Sequence, residues 1–208
     1  EGKNVDTLII NGVECEPYLT SDHRVMLERA EEMLVGIRIL MRALGVERAL
    51  IGVEHNKPDA IAHLKNLVDG EEGIEVYGLK VKYPQGGEKQ LIKALLDREV
   101  PSGGLPLDVG TVVHNVSTAL AVYEAVQKNK PLFERVITVT GKSLSKPLNL
   151  MARIGTPVKD VIEAAGGLPE DTGKVVSGGP MMGKALQSLD VPVVKGTSGI
   201  LVIPRKEA

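Results

Sequence analysis

The chain has 208 residues, 43% of them hydrophobic and 25% charged, with a formal net charge of −2. That length can bury a full core in one or two domains, and the charge balance makes no electrostatic case for nucleic acid or an anionic membrane. A single cysteine excludes an internal disulfide framework and an iron–sulfur cluster held by this chain alone, while no apolar run approaches the ~20 residues that cross a bilayer.

The first element is the apolar run Thr7-Leu8-Ile9-Ile10, the pattern of a strand buried on both faces. It stops at Asn11-Gly12, after which two carboxylates, Glu14 and Glu16, stand two apart around Cys15, with Pro17 closing the turn. One of Thr20, Ser21 and Asp22 is expected to N-cap a helix over residues 22–44, whose apolar positions from Met26 to Met41 recur at helical spacing and whose C-cap is Gly45. A strand over 48–53 ends in the polar turn Glu54-His55-Asn56-Lys57, and Pro58 opens a second helix to about Val68. His55 and His63 lack metal-ligand companions and read as structural or solvated.

A third strand, 74–81, leads into Tyr83-Pro84-Gln85-Gly86-Gly87-Glu88 and a helix over 89–96. Adjacent glycines before a helix let a ligand approach the backbone, and the helix N-terminus favours an anion; the same pair also makes a plain turn. After a loop rich in Pro and Gly, 111–113 is a short strand, 114–117 a turn and 118–127 a helix. Four β-loop-α units in a row predict a doubly wound, mostly parallel sheet with its polar loops at one edge, where open α/β sheets place ligands. The plain alternative is a set of ordinary loops with solvated carboxylates.

The pattern changes after the linker Lys128-Asn129-Lys130-Pro131. Strands at 135–140 and 148–153 form a hairpin, Thr156-Pro157 starts a helix to about Ala165, and a strand at 174–177 precedes the loop Gly178-Gly179-Pro180-Met181-Met182-Gly183. Hairpin, helix and further strands make a small α+β domain of ubiquitin-like, β-grasp type. Lys195-Gly196-Thr197-Ser198-Gly199 lacks Walker spacing and reads as a turn between two strands.

Six stretches taken together resemble the C subunit of Rnf-type electron-transport complexes (RnfC), a relative of the flavin-carrying, NADH-oxidising subunit of respiratory complex I. They are INGVECEP with the downstream SD, YPQGGEKQLI, HNVSTALAVYEAV, VTGKSLSKP, SGGPMMG and PVVKGTSGIL. The resemblance implies a Rossmann-like domain for FMN and NAD(H) over residues 1–130, followed by a soluble-ligand-binding β-grasp (SLBB) domain over 131–208. It further implies that Asn11 contacts the flavin and that Glu14 and Glu16 are the acidic pair beside the isoalloxazine and nicotinamide. Tyr83, Gly86, Gly87 and Glu88 then approach flavin and nucleotide, and His114, Asn115 and Thr118 meet the flavin phosphate and ribityl chain. Asn and backbone N–H groups suit a flavin's ring edge and carboxylates suit ribose hydroxyls. The resemblance gives no catalytic acid, base or metal ligand, the electron chemistry being the cofactor's.

Two positions depart from the complex I pattern: Val13 and Gly87 stand where those relatives carry acidic residues. The family's glycine-rich flavin loop is not found in residues 1–6, and its cysteine-rich segment for 4Fe-4S clusters would follow Pro204. The chain therefore reads as the central part of such a subunit, expected to bind FMN weakly or not at all in isolation and to be inactive alone. The complete complex would pass electrons between NAD(H) and ferredoxin, coupled to ion translocation. The chain would sit with the other subunits, peripheral on the cytoplasmic face of the cell membrane. A flavin-dependent cobalamin reductase of similar domain make-up and a non-enzymatic docking or ligand-binding module are the alternatives.

Overall fold

The computed structural model describes residues 4–208; the expectation about a glycine-rich loop in residues 1–6 falls in part on 1–3, outside the described residues. Contacts divide the chain into two units. One takes the chain up to Cys15 and again Asp22–Pro131, the other Glu16–Ser21 with Leu132–Ala208.

The first unit is built on four strands, β1 (Thr7–Asn11), β2 (Ala49–Glu54), β3 (Ile74–Leu79) and β4 (Thr111–Asn115), in the order β3-β2-β1-β4 and all parallel. β1 and β2 are central, and their apolar runs are buried throughout, as strands covered on both faces must be. The connections are helical: α1 (Ser21–Glu28) and α2 (Ala30–Leu44) after β1, α3 (Pro58–Leu67) after β2, α4 (Glu88–Leu96) after β3, and α5 (Val116–Lys128) after β4. α2 and α5 pack closely because Gly36 has no side chain: a Cβ there would lie 1.8 Å from the carbonyl oxygen of Ala119.

The second unit has a five-stranded mixed sheet of β5 (Glu134–Thr140), β6 (Leu148–Arg153), β7 (Thr172–Ser177), β8 (Lys184–Ala185) and β9 (Gly199–Pro204), in the order β6-β5-β9-β7-β8. β5 and β6 form the expected antiparallel hairpin, and β9 enters between β5 and β7, parallel to the first and antiparallel to the second. The helix α6 (Val158–Ala164) brings Val158, Val161 and Ile162 into a core with Ile137, Val139 and Ile200. This is the β-grasp arrangement. The segment 16–21 belongs with it because the Thr20 N–H donates to Thr138 Oγ1 at 3.0 Å and Ser21 Oγ donates to the carbonyl of Ser198 at 3.3 Å.

Three local expectations are corrected, and one capping contact comes from outside its helix. The single helix over 22–44 is two, interrupted at Arg29 (φ −131°, ψ 26°); the buried stripe Val25, Met26, Ala30, Met33 continues across the break, so periodicity does not register it. A carboxylate eight residues upstream of Asp22 accepts the Asp22 N–H in the first turn of the helix, a contact that local sequence does not announce. His114 and Asn115 end β4 and Val116 begins α5, so 114–117 is not a separate turn. The stretch before Gly199 forms only an isolated bridge, Pro157 with Pro192, where a strand was expected. The 195–199 turn itself is closed by Thr197, whose Oγ1 accepts the Val194 N–H at 3.0 Å.

Candidate functional site at the strand ends of the parallel sheet

The carboxyl ends of β1 and β4 stand side by side, with Asn11 in register with Asn115. The apolar run of β1 is buried until Asn11, where the chain leaves the sheet and its side chain begins to organise loops. Asn11 Nδ2 donates to the Gly86 carbonyl at 2.9 Å, and Asn11 Oδ1 accepts the Val13 N–H at 3.2 Å. One amide thus ties the loop after β1 to the loop before α4. Glycine at 86 permits that approach, since a Cβ would meet Cys15 Sγ at 3.0 Å.

Glu14 adopts a positive φ of 47°, and its carboxylate accepts the N–H groups of Asp22 at 2.8 Å and His23 at 3.1 Å. These are orphan donors in the first turn of α1, so Glu14 caps that helix from outside it. Burial pushes the Glu14 carboxyl up to about 7, with the nearby Asp22 charge adding to the rise. The two N–H bonds and the charge of Lys57 oppose it. Asp22 in turn receives Asn115 Nδ2 at 2.7 Å and Ser117 Oγ at 3.0 Å, while Asn115 Oδ1 N-caps α5 by accepting the Ser117 N–H at 2.7 Å. Glu14, Asp22, Asn115 and Ser117 thereby join β1, α1 and α5 in one polar network.

Beneath the β1 loop lies a buried cation. Lys57 Nζ donates to the Val13 carbonyl at 2.9 Å and to Asn56 Oδ1 at 3.1 Å. It stands 3.8 Å from Glu54 Oε2, both side chains being almost wholly buried. Glu54 Oε1 also accepts the Lys82 N–H at 3.2 Å, which positions the start of the 82–87 loop. Neither member of this pair was marked by the sequence, where both read as part of a polar turn.

Of the residues named from sequence, Asn11, Glu14, Gly86 and Asn115 are brought together. His114 is half-buried at the end of β4, burial holding its imidazole below the ordinary value, and Thr118 is exposed in the first turn of α5. Tyr83 is 39% exposed, Gly87 is the N-cap of α4 and Glu88 its exposed first residue. Glu16 is not in this network. It belongs to the second unit, where its carboxylate accepts the N–H groups of Met181 at 3.1 Å and Met182 at 2.7 Å. Asp22, Ser117, Lys57 and Glu54 were missed; only Asp22 carried a signal, its place at a helix start. Among the described residues no group of three or more His, Cys, Asp or Glu is placed to hold a metal ion, and no helix is long and apolar enough to cross a membrane.

The network suits a cofactor that needs fixed hydrogen-bond partners and close backbone approach. Its amides and carboxylates hold the loops still.

Residues 1–124 match the family of Nuo51 FMN-binding domains, and residues 136–185 match the SLBB domain. The chain is 50% identical, over 99% of its length, to the C subunit of the proton-translocating ferredoxin:NAD(+) oxidoreductase complex of Clostridium ljungdahlii. It is 48% identical to the Na(+)-translocating counterpart of Acetobacterium woodii, again over 99%. It spans about half of these relatives, 45% and 46% of their lengths. The C subunit of an ion-translocating oxidoreductase complex of Rhodobacter capsulatus is 46% identical over 98% of the chain, which covers 40% of it. Among solved structures, an NAD+-reducing [NiFe]-hydrogenase in the H2-reduced state matches with a TM-score of 0.81 at 22% identity, over 98% of this chain and 41% of that one. At that identity the likeness speaks for the fold alone.

Proposed function

We propose, since the chain belongs to the Nuo51 FMN-binding family, that it is the flavin-bearing portion of an Rnf-type C subunit. In that reading the complete protein passes electrons between NAD(H) and ferredoxin, within a complex that couples the transfer to ion movement. The observation that carries it is the near-complete coverage of this chain at about half identity by subunits of that name. It is the reading those relatives favour over a cobalamin reductase or a non-enzymatic docking module.

Residues 1–130 would hold FMN and admit NAD(H), and 131–208 would form the β-grasp partner domain. Asn11 and the backbone of Gly86 and Gly87 would meet the flavin's ring edge, with Tyr83 and Glu88 beside the nucleotide. Asn115, Thr118 and His114, at the start of α5, would meet the phosphate and ribityl chain, a helix N-terminus being favourable for an anion. Glu14 would stand beside the flavin while holding the first turn of α1. A flavin, when bound, accepts a hydride from NADH and releases the electrons singly. The work of the chain is to orient both rings and fix their partners. With one cysteine here, the iron–sulfur centres would be held elsewhere in the complete protein. The other subunits would tether it to the cytoplasmic face of the membrane.

Titration of FMN with the purified chain tests this, read by quenching of flavin fluorescence. The expected result is weak binding, in the tens of micromolar, loosened about tenfold by Asn11→Ala, which removes the tether on Gly86. Flavin binding that Asn11→Ala leaves unchanged would overturn the assignment of the flavin site to these residues.

A further inference from the structure

We propose that Glu54 and Lys57, the ion pair buried beneath the β1 loop, are positioning residues for the flavin site. They act on the two loops that would face the flavin, the one after β1 and the one before α4. The inference rests on the flavin reading above and adds to it two residues that work through others.

The pair arises from one turn. β2 is buried and largely apolar until Glu54, the chain turns as the Lys57 N–H donates to the Glu54 carbonyl at 3.0 Å, and Pro58 then opens α3. Both side chains are folded inward, Glu54 being 2% exposed and Lys57 5%. Taking two charges out of water is costly, and apolar residues of similar volume often serve a fold as well or better. What this pair holds is therefore informative.

Lys57 Nζ donates to the Val13 carbonyl at 2.9 Å and lies 3.5 Å from that of Glu14. Asn11 Oδ1 accepts the Val13 N–H, so both backbone polar groups of Val13 are fixed. Glu54 Oε1 accepts the Lys82 N–H at 3.2 Å at the start of the other loop, and Asn11 Nδ2 donates to the Gly86 carbonyl near its end. The two loops are thus tied to one another twice. One tie is Asn11, and the other is the Glu54–Lys57 pair, whose charged atoms stand 3.8 Å apart.

Lys57 also supplies charge to the residue placed beside the flavin. The Glu14 carboxyl faces Asp22, which disfavours its ionised form, and Lys57, which favours it. His23, whose N–H Glu14 accepts, turns its imidazole to Asp59 at 2.8 Å. Only the ionised carboxyl offers both oxygens as acceptors to the first turn of α1, so Lys57 supports that contact as well.

The test uses the double variant Glu54→Leu with Lys57→Met, apolar and close in volume, because Lys57→Met alone leaves a buried charge unpaired and endangers folding. Its urea midpoint should lie close to that of the parent. Its dissociation constant for FMN, read by flavin fluorescence, should nonetheless rise about tenfold through loss of one tie between the loops. In the flavin-free chain the Glu14 carboxyl carbon, assigned by its absence in Glu14→Gln, is followed by NMR against pH. Its midpoint, about 7 in the parent, should rise by about half a unit, less than loss of a direct ion pair would give. Lys65→Met, at an exposed position of α3, removes a charge of the same sign and should change neither reading. A double variant that keeps the parental FMN affinity while Asn11→Ala loses it overturns the inference and leaves the flavin reading standing. An unmoved Glu14 midpoint overturns it too, and that measurement needs no flavin, so it decides the inference even where FMN does not bind.

Discussion

Glu14 and Glu16 are separated only by Cys15 and serve different units, and each unit is held together by different physics. In the first, the strand-end loops are fixed by buried ionisable groups: the Glu54–Lys57 pair, the Glu14 carboxylate on the first turn of α1, and the Asp22–Asn115–Ser117 cluster. In the second, α6 closes over the sheet through Val158, Val161 and Ile162 on Ile137, Val139 and Ile200, with no ionisable group in that core among the described residues. Buried charge thus gathers at the strand ends of the first unit, where each group needs a partner, whereas the helix and sheet of the second unit close on apolar side chains.

The contrast can be broken most severely at Lys57. Lys57→Met leaves Glu54 buried without its cation and should cost about 4 kcal/mol, read from the urea midpoint. Adding Glu54→Leu should restore most of that loss, and a single mutant as stable as the parent would show that the pair carries no such weight. In the second unit Ile162→Ala should cost roughly 3–4 kcal/mol by opening a cavity, by the same amount at pH 5 and pH 8, because no titrating group lies in that core.

Glu14 sharpens the difference through pH. Its carboxyl is raised from 4.5 to about 7 in the folded chain, so between those values the native state holds more protons than the unfolded one. Stability is then greatest below about 4.5 and falls as pH rises toward 7, by about 3 kcal/mol in all at roughly 1.4 kcal/mol per unit. Glu14→Gln should flatten that slope in a pH series of thermal midpoints, whereas a slope unchanged in the variant would place its origin elsewhere. Glu16→Ala has the smallest effect, about 1 kcal/mol, from two N–H groups losing their acceptor. Hydrogen exchange at Met181 and Met182 should quicken while the amides of Asp22 and His23 keep their protection.

Much of this fold was legible because its signals are local. The apolar run of β1, the helical stripe from Met26 to Ile37 and the hairpin of β5 and β6 each declare themselves within a few residues, and four βα repeats leave few alternatives to a parallel sheet. The polar loops after β1, β3 and β4 were legible for the same reason: turn residues and glycines interrupt apolar strands there. Local pattern was silent on the break at Arg29, since a one-residue bend leaves the buried stripe in phase.

What the chain determines by itself is thus the order and kind of its elements, their buried faces, and the polar residues it delivers to the strand ends. Only the tertiary structure decided the partners of those residues. Glu14 caps α1, Glu16 holds the 181–182 backbone, and Lys57 is buried beneath the Val13 carbonyl. β9 enters between β5 and β7, its pairing with β5 joining Thr138 to Gly199 across a long stretch of sequence. The reason is one of range: burial periodicity is written every two or three to four residues, whereas a carboxylate takes whichever N–H the fold brings within about 3 Å of it.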